Sequence, residues 1–176
     1  MITDRNRLRI AIPGKGRLQE PTIDLLQKSG FSFRAKDRHL YATCTNEELV
    51  FIFVRADDIP VLVQSGTVDA GITGNDLVLE RHADVAEIMR LGYGRCRLCV
   101  AVREECEETG LAWLAGRSVA TSFPSITRQY FAKSGVDVNI IEMNGSVEIM
   151  VALGLADAIV DIVETGDSLR DNNLKV

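Results

Sequence analysis

The sequence predicts an α/β protein made of two small lobes of mainly parallel sheet with flanking helices. Short apolar, β-branched runs alternate with helical segments, and this alternation is typical of parallel sheets covered by helices. Near the middle, Gly92-Tyr93-Gly94 interrupts the alternation with two glycines that loosen the backbone. We therefore predict a first lobe at residues 1–91, a second lobe at residues 92–176, and a cleft between them.

The predicted elements of the first half follow from hydrophobic periodicity. They are a strand at 8–12, a helix at 19–29, a strand at 50–54, a helix at 57–65, a strand at 70–73, a helical turn from 75, and extended segments at 85–91 and 97–102. Pro21 fits the first turn of the first helix, and Gly30 ends it. The second helix carries Ile59, Leu62 and Val63 on one face.

The second half repeats the pattern. Its predicted elements are a strand at 118–121, a helix at 125–134, a strand at 138–141, a helix at 146–153 and a strand at 158–163. Ligands of such sheets bind outside the carboxyl ends of the strands. We therefore expect the loops after Ile12, Val54, Thr73, Thr121 and Asp161 to face the cleft.

Composition narrows the class of partner. The 176-residue chain is 46% hydrophobic and has a net charge of −5, which argues against a broad basic surface that binds nucleic acid. The first residues lack an apolar signal core, and no apolar run approaches the roughly 20 residues that span a bilayer. We expect a cytoplasmic protein whose partners are small molecules, with no nucleic-acid and no membrane partner.

The spacing of Cys96 and Cys99 invites a zinc or redox interpretation. The pair lies within residues 95–102, however, which read as an extended strand, and residues three apart on a strand point to opposite faces. Structural, reduced thiols are the better interpretation, and no metal ligand is assigned.

Residues 161–169 follow the last predicted strand and combine acidic groups, two hydroxyls and a glycine. Main-chain N–H groups at the glycine turn, with the hydroxyls of Thr165 and Ser168, form a donor set suited to a phosphate monoester. A nearby carboxylate can accept hydrogen bonds from ribose hydroxyls. The alternative is a helix cap, in which Thr165 or Asp167 begins a helix that holds Leu169. Spacing alone leaves both interpretations open.

Residues 13–17, Pro-Gly-Lys-Gly-Arg, follow the first strand directly. Glycines let the backbone approach a ligand, and Lys15 and Arg17 can meet anionic oxygens. The Gly-Lys-Ser/Thr ending of a Walker loop is missing, which argues against phosphoryl transfer by that mechanism. A turn with solvated charges is the alternative interpretation.

Two further polar positions follow strands of the first lobe. Arg55 follows the strand at 50–54, and Asp76 follows the strand at 70–73. Asp57 or Asp58 is an equally good partner for Arg55, and Asp76 is equally suited to cap a helix. Arg97 lies within a predicted strand, where an arginine points to solvent or lines a cleft.

Four segments, in order over nearly the whole chain, resemble the ATP phosphoribosyltransferase family, which opens histidine biosynthesis. They are residues 12–18 (IPGKGRL), 69–76 (DAGITGND), 92–98 (GYGRCRL) and 154–169 (GLADAIVDIVETGDSL). The last segment is the most specific, because the family's phosphoribosyl-pyrophosphate loop has the form Glu-Thr-Gly-x-Ser/Thr-Leu. The resemblance implies a two-lobed fold similar to type II periplasmic solute-binding proteins. It also implies transfer of a 5-phosphoribosyl group from phosphoribosyl pyrophosphate to N1 of ATP, with release of pyrophosphate.

The resemblance assigns residues to each substrate. The implied phosphoribosyl-pyrophosphate site, in the second lobe, comprises Asp161, Glu164, Thr165, Gly166, Asp167, Ser168 and Leu169. The implied ATP or AMP site, against the first lobe, comprises Lys15, Gly16, Arg17, Arg55, Asp76 and Leu77. The implied catalytic residues are Arg17, Lys15 and Arg97, which would stabilise the leaving group, and Glu164, which would lie beside the ribose.

The resemblance also implies partners. Mg²⁺ is the implied cofactor, carried by the pyrophosphate of the substrate. A homo-oligomer (dimer or higher) is expected, with a regulatory subunit resembling histidyl-tRNA synthetase for short family members. Family members continue past the last motif, so we expect a truncated core whose extreme C-terminus heads back toward the first lobe.

The alternative hypothesis is a non-catalytic, two-lobed effector domain, which has no need of the loop at 164–168.

Overall fold

A computed structural model describes residues 6–35 and 39–176. The chain divides into two compact units, Met1–Gly94 and Arg95–Val176, each built on its own sheet. In the described residues, no helix is both long enough and apolar enough to cross a membrane.

The first unit contains a four-stranded sheet in the order β2-β3-β1-β4. Its elements are β1 (Leu8–Pro13), α1 (Gln19–Lys28), β2 (Tyr41–Thr43), β3 (Leu49–Val54), α2 (Ile59–Gln64), β4 (Ala70–Gly71) and α3 (Asn75–Glu80). β1 pairs in parallel with β3 and β4, whereas β2 runs antiparallel to β3 at the edge. The carboxyl ends of β1, β3 and β4 therefore share one edge of this sheet.

Both faces of the first sheet are covered. Phe51 on β3 contacts the rings of Phe31 and Phe33, at centroid distances of 5.9 and 4.4 Å, in the same core as Ile12 of β1. On the other face, Ala11 packs with Ile59 of α2. Burial on both faces explains why β3 is a continuous apolar run and not an alternating one.

The second unit contains a five-stranded sheet in the order β7-β6-β8-β5-β9. Its elements are β5 (Arg97–Arg103), a 3₁₀ turn (Ala112–Leu114), β6 (Ser118–Thr121), α4 (Pro124–Lys133), β7 (Asn139–Glu142), α5 (Glu148–Ala152), β8 (Ala158–Val163), α6 (Asp167–Asp171) and β9 (Leu174–Lys175). β6 pairs in parallel with β7 and β8, while β5 runs antiparallel to β8 and β9.

Alternate residues of β8 enter two different cores. Ile159 and Val163 join a cluster with Val151 of α5 and Leu169 of α6, and Val160 joins a second cluster with Phe131 of α4. The first cluster attaches α5 and α6 to the face on which Asp161 also lies, because residues two apart on a strand share a face.

The observed elements confirm the α/β class and correct some details. Both sheets are mixed, because β2 and β5 run antiparallel to their neighbours. The short strand β2 was not predicted. Residues 85–91 form no strand in the described part of the chain, and Ile88 and Met89 within them are 87% and 73% exposed. The second helix begins at Ile59 and not at 57, because Asp58 N–H donates to the carbonyl of Arg55 in a preceding turn.

Candidate functional site

Two main-chain acceptors join the three loops at the carboxyl edge of the first sheet. The N–H of Gly14, after β1, donates to the carbonyl of Val54 at the end of β3 (2.7 Å). The hydroxyl of Thr73, after β4, donates to the carbonyl of Ala56 (2.7 Å). The three loops that the sequence predicts as ligand-facing in this unit therefore lie side by side.

The loop after β1 presents its polar residues outward. Lys15, Gly16 and Arg17 are exposed, and the N–H of Gln19 donates to the carbonyl of Gly16 at the start of α1 (3.1 Å). Nη1 of Arg17 donates to the carbonyl of Gly94 (3.1 Å). The exposed guanidinium of Arg17 is thus positioned by the main chain that ends the first unit.

Arg55 has the carboxylate partner that the sequence left open. Its Nε donates to Oδ1 of Asp57 (3.2 Å), and Oδ2 of Asp57 accepts from Nη2 of Arg81 (3.3 Å). Asp57 thus bridges two arginines, one after β3 and one after α3.

Asp76 and Leu77 lie in the first turn of α3 and are half-buried. The N-cap residue of α3 is Gly74, and Asp76 is an acidic residue of the first helical turn. Asp76 is therefore not the N-cap residue. Asp76 follows Thr73 by three residues, and the hydroxyl of Thr73 donates to the carbonyl of Ala56.

In the second unit, the loop after β8 begins a short helix at Gly166. Gly166 adopts the left-handed conformation (φ 84°, ψ 5°) at the N-cap of α6, while Leu169 is buried in the adjoining core. The chain therefore does begin a helix that holds Leu169, but the cap is Gly166 and neither Thr165 nor Asp167. Glu164 is exposed at the turn.

Both hydroxyls of this loop donate to carboxylates. Thr165 donates to Oδ2 of Asp167 (2.5 Å), and Ser168 donates to Oε1 of Glu148 on α5 (2.5 Å). The hydrogen bond from Thr165 lowers the pKa of the Asp167 carboxyl, and the positive charge of the paired Arg170 lowers it further. The loop is therefore a polar turn in which hydroxyl, carboxylate and guanidinium groups hold one another.

Asp161 lies on β8 directly opposite Cys99 of β5, on the face that carries α5. Burial raises the pKa of Asp161, and the nearby Glu148 carboxylate raises it further, although a hydrogen bond from the N–H of Ile162 (2.8 Å) opposes the shift. Sequence reasoning missed Glu148. It lies 20 residues before Ser168, on a separate helix, and only the packing of α5 brings it to the loop.

Arg97 begins β5 opposite Val163, so its side chain shares the face of Asp161 at the carboxyl end of β8. It is exposed. None of the four cysteines, Cys96 and Cys99 included, forms a disulfide bond within the described residues. Within residues 6–35 and 39–176, no three His, Cys, Asp or Glu side chains converge to hold a metal ion.

Comparisons with known proteins identify the family of the chain. The family model described as "HisG: ATP phosphoribosyltransferase" matches residues 55–176. An ATP phosphoribosyltransferase of Rhodopirellula baltica is 46% identical over 169 residues, and one of Methanopyrus kandleri is 47% identical over 168 residues. These alignments cover 96% and 95% of this chain but 56% and 59% of the two relatives. The chain thus spans a little more than half the length of these relatives.

Solved structures agree on the fold. The ATP phosphoribosyl transferase (HisG:HisZ) complex from Thermotoga maritima contains a chain with a TM-score of 0.80 and 32% identity, covering 96% of this chain and 80% of that one. The periplasmic aliphatic sulphonate binding protein SsuA from Escherichia coli has a TM-score of 0.62 at 15% identity, covering 98% of this chain and 60% of that one. The second likeness confirms the predicted similarity to periplasmic binding proteins at the level of fold. The family model and the first structure show that the chain belongs to the ATP phosphoribosyltransferase family.

Proposed function

We propose that the chain carries the catalytic core of an ATP phosphoribosyltransferase, a pentosyltransferase that makes N1-(5-phosphoribosyl)-ATP and pyrophosphate from ATP and phosphoribosyl pyrophosphate. This reaction is the first step of L-histidine biosynthesis. The observation that carries the proposal is the loop after β8, where Asp161, Glu148 and Ser168 converge beside the turn at Gly166.

The loop suits a ribose 5-phosphate. The first main-chain hydrogen bond of α6 runs from Arg170 N to Gly166 O, so the N–H groups just before Arg170 have no acceptor within the helix. They can donate to phosphate oxygens, and the hydroxyls of Thr165 and Ser168 can turn from their carboxylates to do the same. The pairing with Arg170 offsets the negative charge of Asp167 beside the phosphate.

Asp161 and Glu148 are suited to hold the ribose hydroxyls. Carboxylate oxygens accept hydrogen bonds, and the two groups lie close enough for Glu148 to raise the pKa of Asp161. Hydroxyl donors from a ribose would relieve part of that repulsion. Exposed Glu164 would lie on the open side of the same loop and either hold a hydroxyl or offset positive charge on the sugar ring.

The nucleotide is proposed to bind at the strand-end edge of the first unit. The assigned residues are Lys15, Gly16, Arg17, Arg55, Asp76 and Leu77. Lys15, Arg17 and Arg55 are exposed there and carry the positive charge that a triphosphate requires. The support is that the three loops that bear these residues are joined through Val54 and Ala56.

The chemistry needs positioning more than acid–base groups. Adenine N1 already has a lone pair to form the bond to C1 of the ribose, while the bond from C1 to pyrophosphate breaks through an oxocarbenium-like state. Arg17, Lys15 and Arg97 would stabilise the negative charge that develops on pyrophosphate. Mg²⁺ would enter as part of the substrate, bound to the pyrophosphate, and neutralise charge there. Correct alignment of two substrates can supply on the order of 7 to 11 kcal/mol.

The wider setting is also proposed. A biosynthetic role of this kind fits a cytoplasmic protein. A homo-oligomer and a regulatory subunit resembling histidyl-tRNA synthetase are proposed as partners, and the support is that the similar Thermotoga maritima structure is a HisG:HisZ complex.

The test combines turnover with binding. The purified chain is mixed with ATP, phosphoribosyl pyrophosphate and Mg²⁺, with and without a candidate regulatory subunit, and product is followed by absorbance. Calorimetry measures binding of phosphoribosyl pyrophosphate. Glu148→Gln and Glu164→Ala should weaken binding or turnover. The matched control is Glu142→Gln, a glutamate of the same unit that pairs with Arg128 on the surface.

The outcomes separate the hypotheses. Product in the wild type, reduced in both loop variants and unchanged in the control, would support the proposal. Binding without product would restrict the chain to the substrate-binding part of the function. Absence of both product and binding would contradict the proposal and favour the effector-domain hypothesis.

A further inference from the structure

We infer that Arg81 is a second polyphosphate-binding residue, held beside Arg55 by the carboxylate of Asp57. The inference rests on the proposed function in one respect, which is that the nucleotide binds at the ends of β1, β3 and β4. Arg81 is in none of the segments that carry the family resemblance, and its role follows from the contacts around Asp57.

The geometry is that of one carboxylate shared by two guanidinium groups. Oδ1 of Asp57 accepts from Nε of Arg55 at 3.2 Å, and Oδ2 accepts from Nη2 of Arg81 at 3.3 Å. Arg55 follows β3, whereas Arg81 is the C-cap residue of α3 and lies 24 positions after Asp57. Two cations from separate elements are thereby brought to one point in the fold.

The cluster is open to a ligand. The side chains of Arg55 and Arg81 are 59% and 46% exposed, while that of Asp57 is 30% exposed. Ion pairs with this exposure contribute little to stability, so folding alone is a weak reason for the arrangement. Each guanidinium has five N–H donors, and the hydrogen bonds to Asp57 use Nε of Arg55 and Nη2 of Arg81.

Charge favours an anion with several phosphate groups. Among the three paired side chains, two guanidiniums outnumber one carboxylate. Each planar guanidinium presents paired N–H groups, here called a fork, that can bind two oxygens at once. Two adjacent forks therefore suit oxygens on successive phosphate groups. A single phosphate has fewer oxygens to occupy both forks, so the cluster should favour a triphosphate over a monophosphate.

The cluster lies at the proposed nucleotide site. The carbonyl of Ala56, between Arg55 and Asp57 in the chain, accepts the hydroxyl of Thr73. The residue before Arg55, Val54, accepts the N–H of Gly14 in the loop that bears Lys15. The same short turn therefore connects the arginine pair to both neighbouring loops.

The experiment compares Arg81→Gln with a matched control, Arg90→Gln. Arg90 is in the same unit and also forms an ion pair, with Glu87, so the control removes the same charge and a similar contact. Calorimetry on the full chain measures binding of ATP, AMP and inorganic tripolyphosphate, and thermal melting checks that each variant is folded. A third variant, Arg81→Lys, keeps the charge but loses the fork.

We expect Arg81→Gln to weaken binding of ATP and tripolyphosphate about tenfold, which is typical for loss of a charge-assisted hydrogen bond. Binding of AMP should change less than about threefold on the same grounds. Arg81→Lys should bind ATP more tightly than Arg81→Gln, and Arg90→Gln should match the wild type. Equal ATP affinities in Arg81→Gln and Arg90→Gln would overturn the inference, as would equal losses for ATP and AMP.

The result is separable from the proposed function. If the wild type binds tripolyphosphate through Arg81 but does not bind ATP, the polyphosphate site stands and the nucleotide assignment fails. If ATP binds and is converted to product, but Arg81→Gln has no effect, the function stands and the inference fails. If the wild type binds neither ATP nor tripolyphosphate, both fail.

Discussion

Substitution of Gly166 by alanine tests whether the turn after β8 is a binding loop. Gly166 has φ 84° and ψ 5°, a conformation that costs an L-residue about 1–2 kcal/mol. A Cβ added there would find Nη1 of Arg170 at 3.7 Å and Cγ1 of Val163 at 4.0 Å, which are ordinary van der Waals contacts. The cost is therefore backbone strain alone, and we expect unfolding free energy to fall by about 1–2 kcal/mol. For a unit of this size, each kcal/mol corresponds to a melting shift of about 4–8 °C.

The strain would act where the substrate is proposed to bind. A shift of the turn moves the N–H groups that precede Arg170, so affinity for phosphoribosyl pyrophosphate should fall by more than stability alone explains. Gly116→Ala provides the matched control. Gly116 has φ 73°, and no atom lies within 4 Å of the position that an alanine Cβ would occupy. Gly116 is also outside the loop after β8. Gly166→Asn should recover part of the stability, since asparagine tolerates this conformation better than alanine.

Chemical denaturation and calorimetry decide the matter together. We expect equal stability losses in Gly166→Ala and Gly116→Ala, and weakened phosphoribosyl-pyrophosphate binding only in the former. Equal binding in both variants would refute the assignment of the loop. A stability loss at Gly166 much larger than at Gly116 would refute the argument that no steric clash contributes.

Three other predictions follow from burial and charge. Because the pKa of Asp161 is raised in the fold, its stability contribution is present below the unfolded pKa and is lost as pH rises through the folded pKa. Asp161→Asn should therefore stabilise the chain near neutral pH and lose that advantage in acid. Denaturation at neutral and at acidic pH checks the sign of the effect. Leu169→Ala should lower the free energy of unfolding by about 2–5 kcal/mol, because Leu169 is buried. Leu155 is exposed, so Leu155→Ala should change that free energy by less than about 0.5 kcal/mol. Thermal or urea unfolding measures both. Hydrogen bonds from Arg9 lower the pKa of Asp69, so the stability contribution of Asp69 is present above the unfolded pKa and is lost as pH falls through the folded pKa. Asp69→Asn should cost at most about 1 kcal/mol of unfolding free energy at neutral pH, and less in high salt. A cost that does not change with salt would contradict this prediction.

The main strands and the loops that follow them were predictable, because these strands are short apolar runs followed by polar or glycine-containing loops. Parallel pairing places the carboxyl ends of β1 and β3 at one edge of the first sheet, and those of β6 and β8 at one edge of the second sheet. The sequence therefore predicts Lys15 and Arg55 in loops at the ends of neighbouring strands. The three-residue strand β2 was missed because Tyr41–Thr43 is too short to show a period.

Contacts between distant side chains were not predictable. Glu148 reaches Ser168, and Arg81 reaches Asp57, only because α5 and α3 pack where they do. No local pattern marks either residue, since a charged side chain at a helix end is ordinarily solvated. The direction of β5 was also hidden, because an apolar run does not reveal whether its partner is parallel or antiparallel.

The Gly92-Tyr93-Gly94 segment is not a loose linker, because its residues form specific contacts with the first unit. The hydroxyl of Tyr93 lies 2.6 Å from that of Thr22, which donates to the carbonyl of Leu18, and the carbonyl of Gly94 accepts from Arg17. Gly94 has φ 66°, and a Cβ at this position would meet Cδ2 of Leu18. The segment is thus part of the first unit, up to the division before Arg95. For protein engineering, the place to split the gene or to insert a spacer is immediately after Gly94. A division there keeps Tyr93 and its hydrogen-bond partner Thr22 on the same fragment.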